Sequence, residues 1–487
     1  MAYYLAVDLG TTGCRSILFD DSLHTVGSAY EEYGLITPKE NWVEQDAELW
    51  WTLTLRTAKK AVAAAHIPAK EILGISISSQ GITLVPVDER LNPLCNALSW
   101  LDVRAAVETE TVCNDYEADA FFALTGKRIK SVYTLPKLLW LKKHAKDVFD
   151  RAYKFLMPMD FLIARFTGEI ITDYSMASGT LLFDLRNGCW NREICERYSI
   201  PLEKLPKIAW SGTPVGKVRE EVAKELGLSK ECIVAVGAQD QKCAAYGVGL
   251  CENAISVSLG TAAAITKTWT DLSAMENSSI SWCGYVEPNV WVMEGVIDTA
   301  GTCLRYVRDM FYKGESYDVI NKEVAENIKR NENLFFYPYL SGDTELDKEM
   351  PQGCFYGISL ATERSSYVRA VMEGVAFELR SILEKMRVYQ EDRGLILFGG
   401  GAKSGIWCQM IADVTGLRVA TPVNAEAAGA GAARLSALAC GRELPSLNIE
   451  KEYIPTQERR DYYETKYKRY RLIAKRMWGS AEKDDLY

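Results

Sequence analysis

Two short carboxylates stand where this sequence could do chemistry. Asp8 opens the turn Asp8-Leu9-Gly10-Thr11-Thr12-Gly13 at the end of an apolar run. Glycines there let the backbone approach a phosphate, hydroxyl and N–H groups donate to its oxygens, and the carboxylate can hold Mg²⁺ or its waters. A plain hairpin turn is the other reading. Asp240 lies in Gly237-Ala238-Gln239-Asp240-Gln241, after a second apolar run. A carboxylate fixed at such a tip can take the proton of an alcohol attacking a γ-phosphorus, whereas the bland alternative is an Asx-turn or a helix N-cap before Lys242. Phe398-Gly399-Gly400-Gly401-Ala402-Lys403-Ser404-Gly405 leaves bare backbone on which an adenine or ribose could lie, and a flexible strand-to-helix loop would look the same.

Other chemistries find little support. The chain has three histidines, His24, His66 and His144, which are scattered, so a His-rich metal site or a Ser-His-Asp triad is not expected and acid–base work falls to carboxylates. Gly212-Thr213-Pro214-Val215-Gly216-Lys217 looks like a P-loop but is one residue short between its glycines and has Val218 where Ser or Thr is needed. Gly399-x-Gly401 has Ser404 in place of the third glycine of a dinucleotide fingerprint. Gly429-Ala430-Gly431 lies in an Ala-rich stretch and reads as close helix packing.

These candidates need elements to hold them. Residues 3–9 and 15–20 flank the first Gly/Thr turn as a hairpin, and 255–259 with 262–266 repeat the arrangement around Gly260-Thr261. The shared Leu-Gly-Thr turn suggests two related domains facing each other across a cleft. Helical spacing covers Ala47–His66, Ser366–Tyr389 and Ile406–Thr415, and strands are expected at Ile72–Ser78, Ile233–Val236 and Leu395–Phe398. Short strands alternating with helices argue α/β layers. The charge-rich tail, Glu458–Asp485, reads most simply as a solvated amphipathic helix.

The bulk properties agree. A chain of 487 residues calls for two domains of roughly 200–250 residues each. With 48% hydrophobic and 25% charged residues it can build a sizeable core, and a net charge of −9 leaves no basic footprint for nucleic acid. Its 13 cysteines are odd in number and without a C-x-x-C pair, which reads as buried thiols in a reducing cytosol. Asp8 interrupts the N-terminal apolar run, so no signal peptide is expected, and no run is long enough for a membrane helix.

Together the pieces resemble the FGGY family of carbohydrate kinases in order and spacing over nearly the whole chain. The matching segments are DLGTTGCR (8–15), NWVEQDAELWW (41–51), SWLDVRA (99–105), LPKLLWL (135–141), GEIITDYSMASGTLLFDL (168–185), GAQDQ (237–241), SLGTA (258–262), PYLSGD (338–343) and GGGAKSGIWCQMIADVTGL (399–417). The resemblance implies two α/β domains of the actin/hexokinase-like (ribonuclease H-like) fold around an ATP cleft. Residues 1–249 would carry the sugar and the catalytic base, and 250–487 the nucleotide and the charged tail.

The resemblance also implies roles. Asp240 falls at the family's base, with Gln241 beside the sugar. Thr11, Thr12, Gly13 and Arg15 look like the first phosphate turn, with Asp8 at Mg²⁺. Gly260 and Thr261 look like the second phosphate turn, and Gly301, Gly400, Gly401 and Ala402 like contacts toward ribose and adenine. On the sugar side stand Gln80, Gly81, Ile82, Trp100, Asp102 and Arg104, although a structural Asp102–Arg104 salt bridge is an equal reading. Glycerol-specific members carry Arg-Glu, and typical xylulokinases Met-His, where this chain has Gly81-Ile82. Its 42–46, 100–104 and 172–184 segments are nonetheless xylulokinase-like, so a ketopentose is the expected acceptor, with another polyol, ketose or sugar acid as the alternative. A non-catalytic actin-like ATP sensor is the different-class rival. Expected partners are the sugar and ATP, with no nucleic acid or membrane; a homodimer is a possible assembly, and the expected compartment is the cytoplasm.

Overall fold

The computed structural model describes residues 2–250, 254–275, 280–327, 333–340, 352–388, 394–423 and 426–478. Ser341, Gly342 and Asp343 of the 338–343 motif, Tyr389, and 479–485 of the tail lie outside the described residues. The chain divides into two units. The first comprises Met1–Gly249, Thr268–Val292 and Glu426–Leu447; the second comprises Leu250–Lys267, Met293–Ala425 and Asn448–Tyr487. The units are therefore not two consecutive halves.

In the first unit the apolar run Tyr3–Leu9 pairs antiparallel with Gly13–Asp20, which pairs with Thr25–Glu32. On its other side Tyr3–Leu9 runs parallel to Ile72–Ser79, which runs parallel to both Ile233–Ala235 and the short Ala238–Gln239. Pro214–Lys217, which holds part of the P-loop lookalike, closes that edge. Helix Ala47–Ala65, capped by Asp46, buries Trp50, Leu53 and Ala58 in the core with Val7, Leu9 and Leu18. Helix Ala427–Ala439 belongs to this unit although it comes late in the chain. Its small residues permit close approach: a Cβ at Gly431 would overlap the Cys243 carbonyl, and one at Gly247 the Ala427 carbonyl.

The second unit carries most of the other large sheet, which has seven strands and includes, side by side, Trp291–Ile297, Ala263–Trp269, Ile255–Leu259, Leu395–Phe398, Val419–Pro422 and Ile449–Tyr453. In both sheets the first strand of the Gly/Thr hairpin stands next to parallel strands from later in the chain: Tyr3–Leu9 beside Ile72–Ser79 and then Ile233–Ala235, and Ile255–Leu259 beside Leu395–Phe398 and then Val419–Pro422. The repeated Leu-Gly-Thr turn thus marks a repeated α/β topology. Helix Arg364–Lys385 is buried along most of its length and packs against the tail helix Gln457–Trp478. The tail is amphipathic as expected, yet not simply solvated. Tyr463, Tyr467 and Tyr470 all lie against Phe377, and Lys466 Nζ meets the buried Glu373 at 2.5 Å beside Arg369. None of the 12 cysteines among the described residues is in a disulfide.

Candidate active site

The parallel strands Tyr3–Leu9, Ile72–Ser79 and Ala238–Gln239 end at one edge of the first sheet. Asp8 and Ala238 both stand opposite Ser78 in the register, and the Gln80 N–H bridges to the Leu9 carbonyl at 2.8 Å. The carboxyl edge of parallel strands is where α/β folds place ligands, because the loops diverge there and leave polar backbone accessible. Three loops that were singled out in the sequence leave this edge: Gly10–Gly13, Gln80–Ile82 and Asp240–Gln241.

Asp8 is half-buried, and Ser78 Oγ donates to its Oδ1 at 3.0 Å. Desolvation pushes its carboxyl up to about 6; the Ser78 bond opposes this, Glu426 adds to it and Arg15 reduces it. Arg15, directly across the hairpin from Asp8, pairs with Glu426 and lies over the Tyr30 ring at 5.0 Å. Glu426 was not singled out in the sequence, because the residues separating it from Asp8 hide that the two share a site. Gly13 lies close under the exposed Tyr30 ring, where a Cβ would push that ring aside. Thr12 is exposed and Thr11 half-buried.

The turn carrying Asp240 is held from behind. Asp173 Oδ2 accepts from Ser175 Oγ at 2.6 Å and from Ser211 Oγ at 2.9 Å, and Ser175 Oγ in turn accepts the Gln239 N–H at 2.9 Å. Burial raises the Asp173 carboxyl against the pull of these donors. Asp240 is the first residue of helix Asp240–Gly247, and its Oδ1 accepts the Gln241 N–H at 2.7 Å and a short bond from the Gln239 amide. The N-cap residue itself is Gln239. Gly237 is forced by the adjacent strand, whose Ile77 carbonyl fills the place of a Cβ. Asp173 and Ser175 lie in the TDYS segment, where a buried-acid motif was the available signal.

Gly81 approaches Gln239, and Ile82 sits in the left-handed region at φ 53°, with its Cγ2 where a Cβ on Gly179 would go. A β-branched residue there is strained by roughly 1–3 kcal/mol, a feature that recurs at ligand sites. Gln80 is buried, and its Nε2 donates to Gln45 Oε1 at 3.1 Å. Trp100 is 37% exposed, and its indole N–H donates to Thr11 Oγ1 at 3.0 Å.

Asp102 and Arg104 behave as the salt-bridge reading has it. Their side chains are 0% and 3% exposed; Arg104 Nη2 reaches Asp102 and Glu44 at 2.7 Å each, and its guanidinium lies 3.8 Å from the Trp42 ring centroid. Asp102 also accepts the Val43 N–H at 2.7 Å. These bonds clamp the 42–46 and 99–104 segments together. Lys137 locks the clamp from below, donating to the Ser99 and Val132 carbonyls at 2.6 Å each. Burial lowers its amine to about 7, with Asp102 opposing and Arg104 assisting.

The second unit supplies its own strand-edge loops. The backbone N–H groups of Ala300, Gly301 and Thr302 donate to the Gly260 and Thr261 carbonyls at 2.9–3.1 Å, and a Cβ at Gly301 would overlap Gly260 O. Gly301 is therefore a brace for the Gly260-Thr261 turn, and Thr261 is exposed. The three adjacent glycines divide their work. Gly399, at φ 89°, and Gly401 both pack on Leu259, while a Cβ at Gly400 would meet nothing within 4 Å. Bare, accessible backbone is thus offered at Gly400 and half-buried Ala402. Ser404, in the place of a fingerprint glycine, caps helix Gly405–Thr415.

No group of three metal-binding side chains occurs among the described residues. Mg²⁺ does not need one, since it is commonly held by one or two carboxylates plus waters and substrate phosphates. Asp8, with an oxygen left beside the Ser78 bond, fits that donor set. No helix among the described residues is long and apolar enough to cross a membrane.

Comparison with known proteins shows which family the chain resembles. The model of the FGGY carbohydrate kinase N-terminal domain matches residues 3–247, and that of the C-terminal domain residues 256–440. The xylulose kinase of Escherichia coli strain K12 is 30% identical over 487 residues, covering 96% of this chain and 98% of its own. The glycerol kinase of Thermococcus gammatolerans is 30% identical over 473 residues, covering 93% of each chain. A crystal structure described as a xyloylose kinase from Brucella ovis superposes with a TM-score of 0.90 at 30% identity, covering 98% of this chain and 99% of that one. Both domain models, a full-length relative and two repeated α/β sheets lead to one conclusion: the chain belongs to the FGGY family of carbohydrate kinases.

Proposed function

We propose that this ATP-dependent sugar kinase phosphorylates a ketopentose, with Asp240 as the base that takes the proton of the attacking hydroxyl. The observation that carries the substrate reading is the turn Gln80-Gly81-Ile82 beside Gln239 and Asp240. Gly81 and Ile82 offer no side-chain polar group, so at this turn a small triol finds none of the charge-assisted hydrogen bonds, about 1.5–3 kcal/mol each, on which its recognition depends. Ile82, half-buried beside Gly179, offers an apolar wall that suits a longer carbon chain. The relatives named xylulose kinase support this reading. The glycerol kinase relative keeps another polyol as the alternative.

Phosphoryl transfer asks the protein mainly for positioning and charge stabilisation. Asp240, braced through Gln239 by Ser175 and Asp173, holds the sugar hydroxyl and accepts its proton. In the first unit Thr11 and Thr12, with Arg15 released from Glu426, receive phosphate oxygens; the second unit, taken by itself, offers the Thr261 hydroxyl. Gly400 and Ala402 give the nucleoside a backbone surface. Asp8 would hold Mg²⁺, whose charge would offset that of the phosphates. Trp100 contacts the sugar, while Asp102 and Arg104 position the loop that carries it. A homodimer and a cytoplasmic location belong to the same proposal.

The test is kcat/KM by ADP release for D-xylulose, D-ribulose, L-xylulose, xylitol, aldonates and glycerol under identical conditions. A ketopentose is expected among the best substrates and glycerol among the poorest. Glycerol ranking first would overturn the reading of Gly81-Ile82.

A further inference from the structure

Thr11 is gripped twice by residues outside its own turn. Gln45 Nε2 donates to its carbonyl at 2.7 Å, and Trp100 Nε1 donates to its hydroxyl at 3.0 Å. The two carriers form one piece, because Gln45 pairs with Ala97, Glu44 pairs with Leu98, and the Asp102–Val43 and Arg104–Glu44 bonds tie the flanking residues. Gln45 is fully buried, and its remaining amide oxygen accepts from Gln80 at 3.1 Å. A path of hydrogen bonds therefore runs from the turn Gln80-Gly81-Ile82 through Gln45 to Thr11.

The direction of the indole bond matters chemically. An indole N–H can only donate, so Thr11 Oγ1 is the acceptor there and its own O–H proton is left to point elsewhere. A phosphate oxygen is the acceptor that fits it.

We propose that Gln45 and Trp100 form a strut between the sugar-side turn and Thr11, and that Gln45 is a positioning residue that ties ATP use to sugar occupancy. With the strut in place, the Thr11 hydroxyl is aimed at the transferable phosphate and the Gln80 turn senses the acceptor. Without it, the phosphate turn loosens and water competes with the sugar. This inference rests on the reading of Thr11 as a phosphate contact but not on which sugar is used.

The test uses the full chain and the sugar that wild type phosphorylates fastest. Gln45→Leu puts an apolar side chain, one atom shorter, in place of the amide and loses both bonds. The ratio of sugar-dependent to sugar-independent ADP release should fall about 3- to 10-fold, the loss expected for one hydrogen bond, with sugar KM changed far less. Trp100→Phe should lower the ratio in the same direction. The double variant should lose less than the product of the two, because both act on Thr11. A Gln45→Leu enzyme with reduced kcat but an unchanged ratio, or multiplicative losses in the double variant, would overturn the strut. If Gln45→Leu does not fold, Trp100→Phe decides: an unchanged ratio refutes the proposal. Thr11→Val with an unaltered ATP KM would instead refute the phosphate-contact reading beneath it.

Discussion

Asp8→Asn should stabilise the metal-free protein at neutral pH while removing its response to Mg²⁺. The magnitude follows from the surroundings of Asp8. Its carboxyl is raised from 3.8 to about 6, chiefly by desolvation. At about 1.36 kcal/mol per unit, keeping Asp8 ionised in the fold costs up to ~3 kcal/mol. Asp8 retains some solvent access, so roughly 1–3 kcal/mol is the working range. The sign is fixed by the folded value lying above the unfolded one: stability from protonated Asp8 is fully present below about pH 3.8 and is lost as pH rises through about 6. Asparagine cannot ionise, yet it keeps an oxygen to accept the Ser78 bond. The gap between variant and wild type should therefore be near zero at about pH 4 and reach a plateau above roughly pH 6.5. Unfolding followed in a chelator from about pH 4.5 to about pH 8 reads this gap, and the rate titrated against Mg²⁺ reads the loss of function. Equal midpoints at neutral pH, or a gap that does not shrink toward acid, would refute the argument.

Two further outcomes probe the supports of the site. Ser175→Ala leaves the Gln239 N–H and the buried Asp173 each short of a bond, so it should lower kcat about 10-fold and stability by about 1–3 kcal/mol; wild-type kcat with an unchanged melting temperature would show that the brace is idle. Gly301→Ala forces its methyl into the Gly260 carbonyl and should displace the Thr261 turn, raising ATP KM severalfold with sugar KM nearly constant, as steady-state kinetics with each substrate varied will show.

The two hairpins were legible in the sequence because each is a pair of short apolar runs around a Gly/Thr turn, and Leu395–Phe398, a short apolar run closed by glycines, has the expected bounds. What glycine does at each position was not legible. Gly13, Gly301 and Gly401 all read as ligand contacts; Gly301 and Gly401 also stand where the Gly260 carbonyl and the buried Leu259 side chain leave no room for a Cβ, and Gly13 lies close under the Tyr30 ring. Sequence shows that a side chain is absent, and only packing shows what takes its place. Gln45 went unread because a buried amide gives no composition signal, although its segment had been singled out. Glu426 and helix Ala427–Ala439 illustrate a second blind spot: residues far along the chain complete the first unit, and linear order hides it. For Arg104 the alternatives were stated correctly, and burial at 3% exposure favours a structural role.

The central claim, that Asp240 is the base of a sugar kinase, is tested most directly by single-turnover transfer from ATP to the preferred sugar in Asp240→Asn, with nucleotide affinity measured on the same protein. Asparagine nearly matches the size of aspartate and can keep the bond from the Gln241 N–H, so the fold and nucleotide binding should hold. Transfer should fall on the order of 10²–10⁴-fold with ATP affinity nearly intact. An Asp240→Asn enzyme that transfers phosphate at the wild-type rate would contradict the assignment.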